Sequence, residues 1–409
     1  MSGSLFVANG RVVDPVAGTV LPGGVLIRDG RIARVGAIDP PADADGHDAR
    51  GALIAPGIVD LGSFAIDLPA FVAGGITRAA LMPDQSPPLD GTALVQRAAA
   101  AGKPDVWIHP IAAATRELAG EELAEIGLMQ AAGAAAVATG RRWIADSGVM
   151  HRLLAYAAAL DMLVIVHAED EGLSAGAGAT AGETATRLGL PAAPAAAEAI
   201  AVSRDLLLAE ETGARLHFRQ VTTARAFDLI RAAKARGLRV TCGISPAHLL
   251  LSDIAMSGFR TFARLSPPLR DEADRLAAIE AVRDGTVDVL CSAHDPQAPE
   301  AKRLPYTDAE PGMAGAETLL TLSLTLVRDG VIDLPRLFAL LSTNPARLLG
   351  IPGGGLAAGD EADIILVDED APWQIVSERM AAVAGNTPFD GLPVQGRVRR
   401  TIKGGRLLG

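Results

Sequence analysis

The chain has 409 residues, more than one hydrophobic core usually organises, so one large domain and a smaller one are expected. With 49% hydrophobic and 21% charged residues it has the make-up of a globular protein, not of a disordered or fibrous one. A formal charge of −11 with no run of Lys or Arg argues against nucleic-acid wrapping and against a basic membrane patch.

The first fifty residues read as short strands, "SLFVANGRVVD", "GGVLIRDGRIARVG" and "ALIAPG", separated by Gly and Asp-Gly turns of the hairpin kind. The last sixty repeat the pattern in "ADIILVDED", "WQIV" and "GRVRRTIKGGRLLG". Both termini are therefore expected to build one small β-sandwich domain, from 1–54 and 349–409, around a central unit at 55–348. In that unit strands are predicted at 57–63, 77–82, 106–112, 134–138, 163–167, 215–220, 239–243 and 287–292. Helical stretches fall between them, "GTALVQRAAAAG", "GVMHRLLAYAAALD", "PAAAEAIAVSRDLLLAEETG", "TARAFDLIRAAKARG" and "EADRLAAIEAVRDG", several stopping at Gly. Eight strands with intervening helices give an α/β fold, a (β/α)8 TIM barrel, whose chemistry sits at the C-terminal ends of the strands. The link "FAIDLPAFVAGG" between the first two strands has room for about two helical turns and no long loop.

No basic, apolar leader opens the chain, and the apolar run at 153–166 is broken by Asp161 and too short to span a bilayer. A soluble, cytoplasmic protein is the expectation. Cys242 and Cys291 sit in apolar strand-like runs without a CxxC, as buried thiols do.

A catalytic metal needs three or four converging His, Asp, Glu or carboxylated Lys ligands. The seven histidines are His47, His109, His151, His167, His217, His248 and His294, and no two lie two apart, so no strand can aim a His pair at one metal. His167 in "VIVHAEDEG" and His294 in "CSAHDP" are the best candidates, with Asp295 or Glu169 as possible companions. His151 falls in a helical pattern and His109 on a strand. There is no GxSxG, and the glycines of "IPGGGLAAGDEAD" do not open a helix after a strand, so neither serine catalysis nor a phosphate loop is expected.

Taken in order, "VIVHAEDEGL … RLGLPAAPAAAEAIAVSRDLLLAEETGARLHF", "GLRVTCGISPAHLLLSD … SPPLRDEAD", "NPARLLGI", "ADIILVDED" and "GNTPFDGLPVQGRVRRTIKGG" resemble dihydroorotase, the cyclic-amide hydrolase of pyrimidine synthesis in the amidohydrolase superfamily. The resemblance covers nearly the whole chain. It implies that most of the family's catalytic set is missing here. The strand-one His-x-His falls on Gly62 and Phe64, and the bridging acid or lysine after strand four falls near Gly140 and Arg141. The strand-five His is kept as His167, the strand-six His becomes Gln220, and the strand-eight Asp becomes Ala293, followed by His294. The substrate clamp also departs: Asp84 replaces an Asn, Ser266 an Asn and Gln297 a His, and the clamp Arg belongs to the shortened first link.

The resemblance points to the inactive dihydroorotase-like chains that serve as structural partners of aspartate carbamoyltransferase, with no cofactor expected and an oligomeric assembly. The alternative is a working cyclic amidohydrolase with an atypical zinc site, in which Asp295 takes the place of the missing Asp. A further reading is a small-molecule binder using the emptied pocket, with Arg141, Arg142 and Arg219 near its rim. The shortened first link is expected to leave that end of the barrel open or differently covered.

Overall fold

The computed structural model describes residues 4–408. The N-terminal strands β1 (Ser4–Asp14), β2 (Thr19–Arg28), β3 (Arg31–Gly36), β4 (Asp45–Asp48) and β5 (Leu53–Pro56) are followed directly by the first barrel strand. β2 and β3 form a hairpin over Asp29-Gly30, whose positive φ values of 50° and 76° are those a two-residue Asp-Gly turn requires. At the other end, β16 (Ile364–Gln374) merges two of the expected strands into one, and is followed by β17 (Pro393–Lys403) and β18 (Arg406–Leu408). All eight join one sheet in the order β18-β17-β16-β5-β1-β2-β3, with β4 beside β1. β5 and β16 pair antiparallel, so the two chain ends share one core around Val7, Val25, Ile54, Ile364 and Ile402.

The middle of the chain forms a parallel barrel from β6 (Ile58–Ser63), β7 (Ile76–Leu81), β8 (Trp107–Ala113), β9 (Ala136–Ala138), β10 (Leu163–Val166), β13 (Arg215–Phe218), β14 (Val240–Ile244) and β15 (Val289–Leu290). The short strands β11 (Ala179–Thr180) and β12 (Ala192–Ala193) pair with each other outside it. The eight barrel strands coincide with the eight expected from sequence. β15 is cut to two residues because the seam with β6 is closed by a side chain instead of a ladder. The Asp60 carboxylate accepts the Ser292 N–H at 2.8 Å and the Ser292 hydroxyl, and the Phe64 N–H then donates to the His294 carbonyl at 2.8 Å. Burial pushes the Asp60 carboxyl up, and the two Ser292 bonds oppose that.

The first crossover is a two-turn helix, α1 (Leu68–Gly74). Asp67 caps it with one carboxylate oxygen on the Ala70 N–H at 3.3 Å, while the other takes the Val383 N–H from the C-terminal segment at 2.8 Å. The five helical stretches read from the sequence are present as Thr92–Ala100, Ser147–Ala159, Ala196–Thr212, Ala224–Ala235 and Glu272–Arg283. The helix Leu319–Arg328 escaped that reading because "LLTLSLTLVR" alternates apolar and polar residues like a strand. It is buried on nearly every side, so its stretch of sequence shows little polar surface to set it apart from a buried strand. Both cysteines are free and buried, with the Cys291 thiol pushed up to about 12 by burial. Among the described residues no helix is long and apolar enough to cross a membrane.

Candidate functional site

Phe64 stands just beyond β6 and belongs to the packed interior of the barrel, with Leu61, Ile111, Ile165 and Cys291. Its ring lies between two guanidinium groups, Arg141 at 3.9 Å and Arg219 at 4.9 Å from the centroid. Arg141 pairs with Asp295 through both terminal nitrogens, one contact at 3.0 Å, and the Gln297 amide donates to the same carboxylate at 2.9 Å. Behind the ring, Arg219 is fully buried and donates to His167 Nδ1 at 3.2 Å. His167 then turns Nε2 toward Glu169 at 3.5 Å, and Glu169 meets Arg270 at 3.1 Å. What remains open among these groups is about 20 Å³. Sites for small organic ligands occupy roughly 300–1,000 Å³, so the cavity holds a water or two and no cyclic amide. Of the expected open or differently covered barrel end, the open form is corrected: side chains of the barrel itself cover it.

The five positions where the resemblance places lost catalytic groups lie around this plug, and two carry backbone reasons for their residues. Gly62 has φ +143° at a break in the β6–β7 register, a conformation that a histidine adopts only under strain. Gly140 has φ +80°, and a Cβ there would lie 2.7 Å from Asp84 Oδ1. Gln220 is buried with Oε1 unpartnered, and Ala293, at φ +47°, lines the cavity with its short side chain.

Asp295 lines the mouth, His167 lies behind it against Arg219, and His294 does not line it. Its Nδ1 accepts the Ala316 N–H at 3.2 Å, its Nε2 lies 3.4 Å from Asp67, and its ring meets Phe71 edge-on at 5.7 Å, all on the α1 side. Burial works against the Asp67 carboxylate, yet contact with His294 and the Val383 and Ala70 N–H groups hold it below the usual range. His294 as a ligand facing His167 is therefore corrected. Asp295 as a replacement ligand is already claimed by Arg141 and Gln297. Among the described residues no three His, Cys, Asp or Glu side chains converge on a point. The donor set does not fit zinc, and the group lying among His167, Phe64 and Gln220 is the Arg219 cation.

Of the substrate-clamp positions, Asp84 has turned inward. Its Oδ1 accepts the Arg141 N–H at 2.9 Å, and its buried Oδ2 has no hydrogen-bond partner. Ser266 lines the cavity, and Gln297 is occupied with Asp295 while its own N–H donates to Asn386 at 3.1 Å. A rim of three arginines is corrected as well. Arg142 is exposed and bound to Glu171, and Arg219 lies inside the barrel, where burial pushes its guanidinium below the usual range.

The residues missed from sequence are Glu198 and Arg270. Glu198, fully buried, accepts the Thr222 and Thr223 N–H groups and both hydroxyls, the backbone bonds lying at 2.8–3.1 Å. Arg270 ties Glu198, Glu169, Thr180 and Thr222 together. An isolated Glu on the apolar run "PAAAEAIAV" was the one available signal.

The family described as Dihydro-orotase-like matches residues 53–225. A dihydroorotase of Pelotomaculum thermopropionicum is 42% identical over 99% of this chain and 98% of its own length. A dihydroorotase-like protein of Pseudomonas aeruginosa is 38% identical over 99% of each. The structure of an L-hydantoinase from Arthrobacter aurescens superposes with a TM-score of 0.88 at 25% identity, covering 100% of this chain and 96% of that one.

Proposed function

The chain belongs to the dihydroorotase-like family of the amidohydrolase superfamily, and on that premise we propose that it is a catalytically inactive member whose role is structural. The partner that the sequence resemblance implies is aspartate carbamoyltransferase, with this chain helping to hold the transferase assembly together in pyrimidine synthesis. The observation that carries the reading is the Arg219 cation among the remnants of the family's ligand positions, beneath a Phe64 ring clamped by Arg141 and Asp295. A metal there would meet a buried positive charge at close range instead of anionic ligands, and repulsion in a poorly hydrated site is costly. Removing the group that activates water takes away most of a catalysed rate. The scaffold, in contrast, is intact from β6 to β15 and through the terminal sheet.

A second reading, an active cyclic amidohydrolase, is favoured by the names of the Pelotomaculum and Arthrobacter relatives. One preparation separates the two. The purified chain, dialysed against zinc and analysed by mass spectrometry for bound metal, is expected to hold well under one equivalent and to leave dihydroorotate and hydantoin unhydrolysed. Stoichiometric zinc with turnover would sink the inactive reading. Co-expression with the carbamoyltransferase is expected to yield one co-eluting species, and two independent peaks at micromolar concentration would count against the scaffold role.

A further inference from the structure

Outside the plugged barrel mouth lies a larger cavity of about 560 Å³, within the size range of small-molecule sites. Three segments wall it: the loop around Phe259 and Arg260 after β14, the loop from Gln297 to Arg303 after β15, and the C-terminal stretch at Ser377–Asn386. Gln297 lines this cavity but not the mouth, where its amide reaches only as far as Asp295.

Its charge runs against that of the protein. The chain carries −11, but this lining holds three cations, Arg260, Lys302 and Arg303, against one carboxylate, Glu378. No carboxylate among the described residues lies within ion-pairing distance of Arg260 or Arg303; Arg260 donates only to the Pro388 carbonyl, at 3.3 Å. Lys302 is a fixed part of the wall, its ammonium held by the carbonyls of Thr261, Arg264 and Glu310 at 2.5–3.4 Å. Each of these two exposed guanidinium groups keeps free donors in a planar fork suited to phosphate or carboxylate oxygens.

The lining also offers an aromatic platform. Phe259 is 51% exposed, and its backbone sits at φ +58°, a left-handed conformation that a bulky residue rarely adopts. The side chain stands largely outside the core and lines the cavity, with Phe262 also in the lining. A flat ring beside two unpaired guanidinium groups suits a ligand with a π-face at one end and negative charge at the other.

We propose that this cavity is a nucleoside-phosphate site, with the base on Phe259 and the phosphates on Arg260 and Arg303. The site is separate from the barrel mouth, and its occupation does not depend on whether the barrel turns over a substrate.

The test uses the full chain without divalent cations at fixed ionic strength, since screening alone alters phosphate binding. ATP, UTP, tripolyphosphate and uridine are titrated by calorimetry, with thermal unfolding as a second readout. ATP or UTP is expected to bind saturably to one site and raise Tm, tripolyphosphate to bind about tenfold more weakly, and uridine more weakly again. Arg303→Glu, fully surface-borne, is expected to weaken nucleotide binding about tenfold or more without moving the ligand-free Tm, and Arg260→Glu to act in the same direction. Phe259→Ala is expected to erase the preference of the nucleotide over tripolyphosphate. No saturable binding of either nucleotide, or binding indifferent to both charge reversals, would overturn the site. Tripolyphosphate binding as tightly as the nucleotides would overturn the nucleoside assignment.

Discussion

Arg141 and Asp295, which follow the ends of β9 and β15, join across the barrel mouth in a two-pronged ion pair that holds the Arg141 guanidinium flat on the Phe64 ring. Burial works against the Arg141 cation, but Asp295 more than offsets it and keeps that side chain above its ordinary value.

Because Arg141 is 38% exposed at its side chain, solvent screening trims the pair's value. Asp295→Ala is expected to lower the unfolding free energy by about 1 kcal/mol in urea titrations. A double-mutant cycle with Arg141→Ala should return a coupling of the same order. A coupling near zero would mean that the pair is ornamental and that Phe64 packs without it.

Arg219 leads to the opposite expectation. Its guanidinium is buried, its Nε has no partner, and no carboxylate of the described residues reaches it within ion-pairing distance. A cation held so poorly costs stability, and an apolar side chain of similar length should cost less. Arg219→Met is expected to leave the urea midpoint unchanged or to raise it, by up to about 1 kcal/mol. A loss of more than about 2 kcal/mol would show that the arginine braces His167 and the barrel end more firmly than its contacts suggest.

Much of this was legible in the sequence for reasons that can be named. Parallel strands buried on both faces read as continuous apolar runs, so all eight barrel strands were visible, and Asp29-Gly30 announced its hairpin. The placing of His294, offered as a ligand, was not legible: it lies beyond the end of β15, where Ala293 at φ +47° breaks the strand alternation, and it turns toward Asp67. The plug was not legible. Nothing local says that a phenylalanine after β6 will lie between arginines 77 and 155 positions further on, since that depends on the barrel closing first. Nor does a lone Glu198 reveal that Thr222, Thr223 and Arg270 will gather around it.

Glu198 is the residue whose loss should be felt most. It accepts bonds from two backbone N–H groups and two hydroxyls at the start of the helix Ala224–Ala235, and it neutralises Arg270 inside the protein. Glu198→Ala leaves a buried cation short of one partner and several donors with none. The expected cost is about 3–5 kcal/mol, enough to reduce soluble yield. Glu198→Gln keeps acceptors for the threonines and should recover part of it. Equal losses for the two variants would point to packing, not charge.

Acid should destabilise the protein through its buried histidines, against an opposing pull from Asp205, which burial raises to about 6 so that the folded chain takes up that proton first. His217, His248 and His109 are held neutral, with burial the chief cause, at about 3, about 4 and about 4 instead of 6.5. For His248 the neutral ring suits its neighbours: one nitrogen faces the Ser245 hydroxyl at 2.9 Å and the other the Pro267 carbonyl at 2.9 Å. As pH falls below 6.5 the unfolded chain takes up protons at these rings while the folded chain does not. The unfolded state is then favoured, so stability rises with pH across this window and is complete above it. At the limit, the three rings together give a slope of about 4 kcal/mol per pH unit between pH 6 and 5, from which Asp205 subtracts about 1. Glu169 adds to the loss lower down. His167 and Arg270 outweigh burial and hold it near 2, so its contribution is present above 4.5 and fades as pH falls toward 2. Urea midpoints between pH 7.5 and 5 are expected to show the decline. His248→Gln, which offers a donor and an acceptor but no titration, should flatten the slope by about one proton's worth. An unchanged slope in that variant would remove His248 from the account and leave His217 and His109 to carry it.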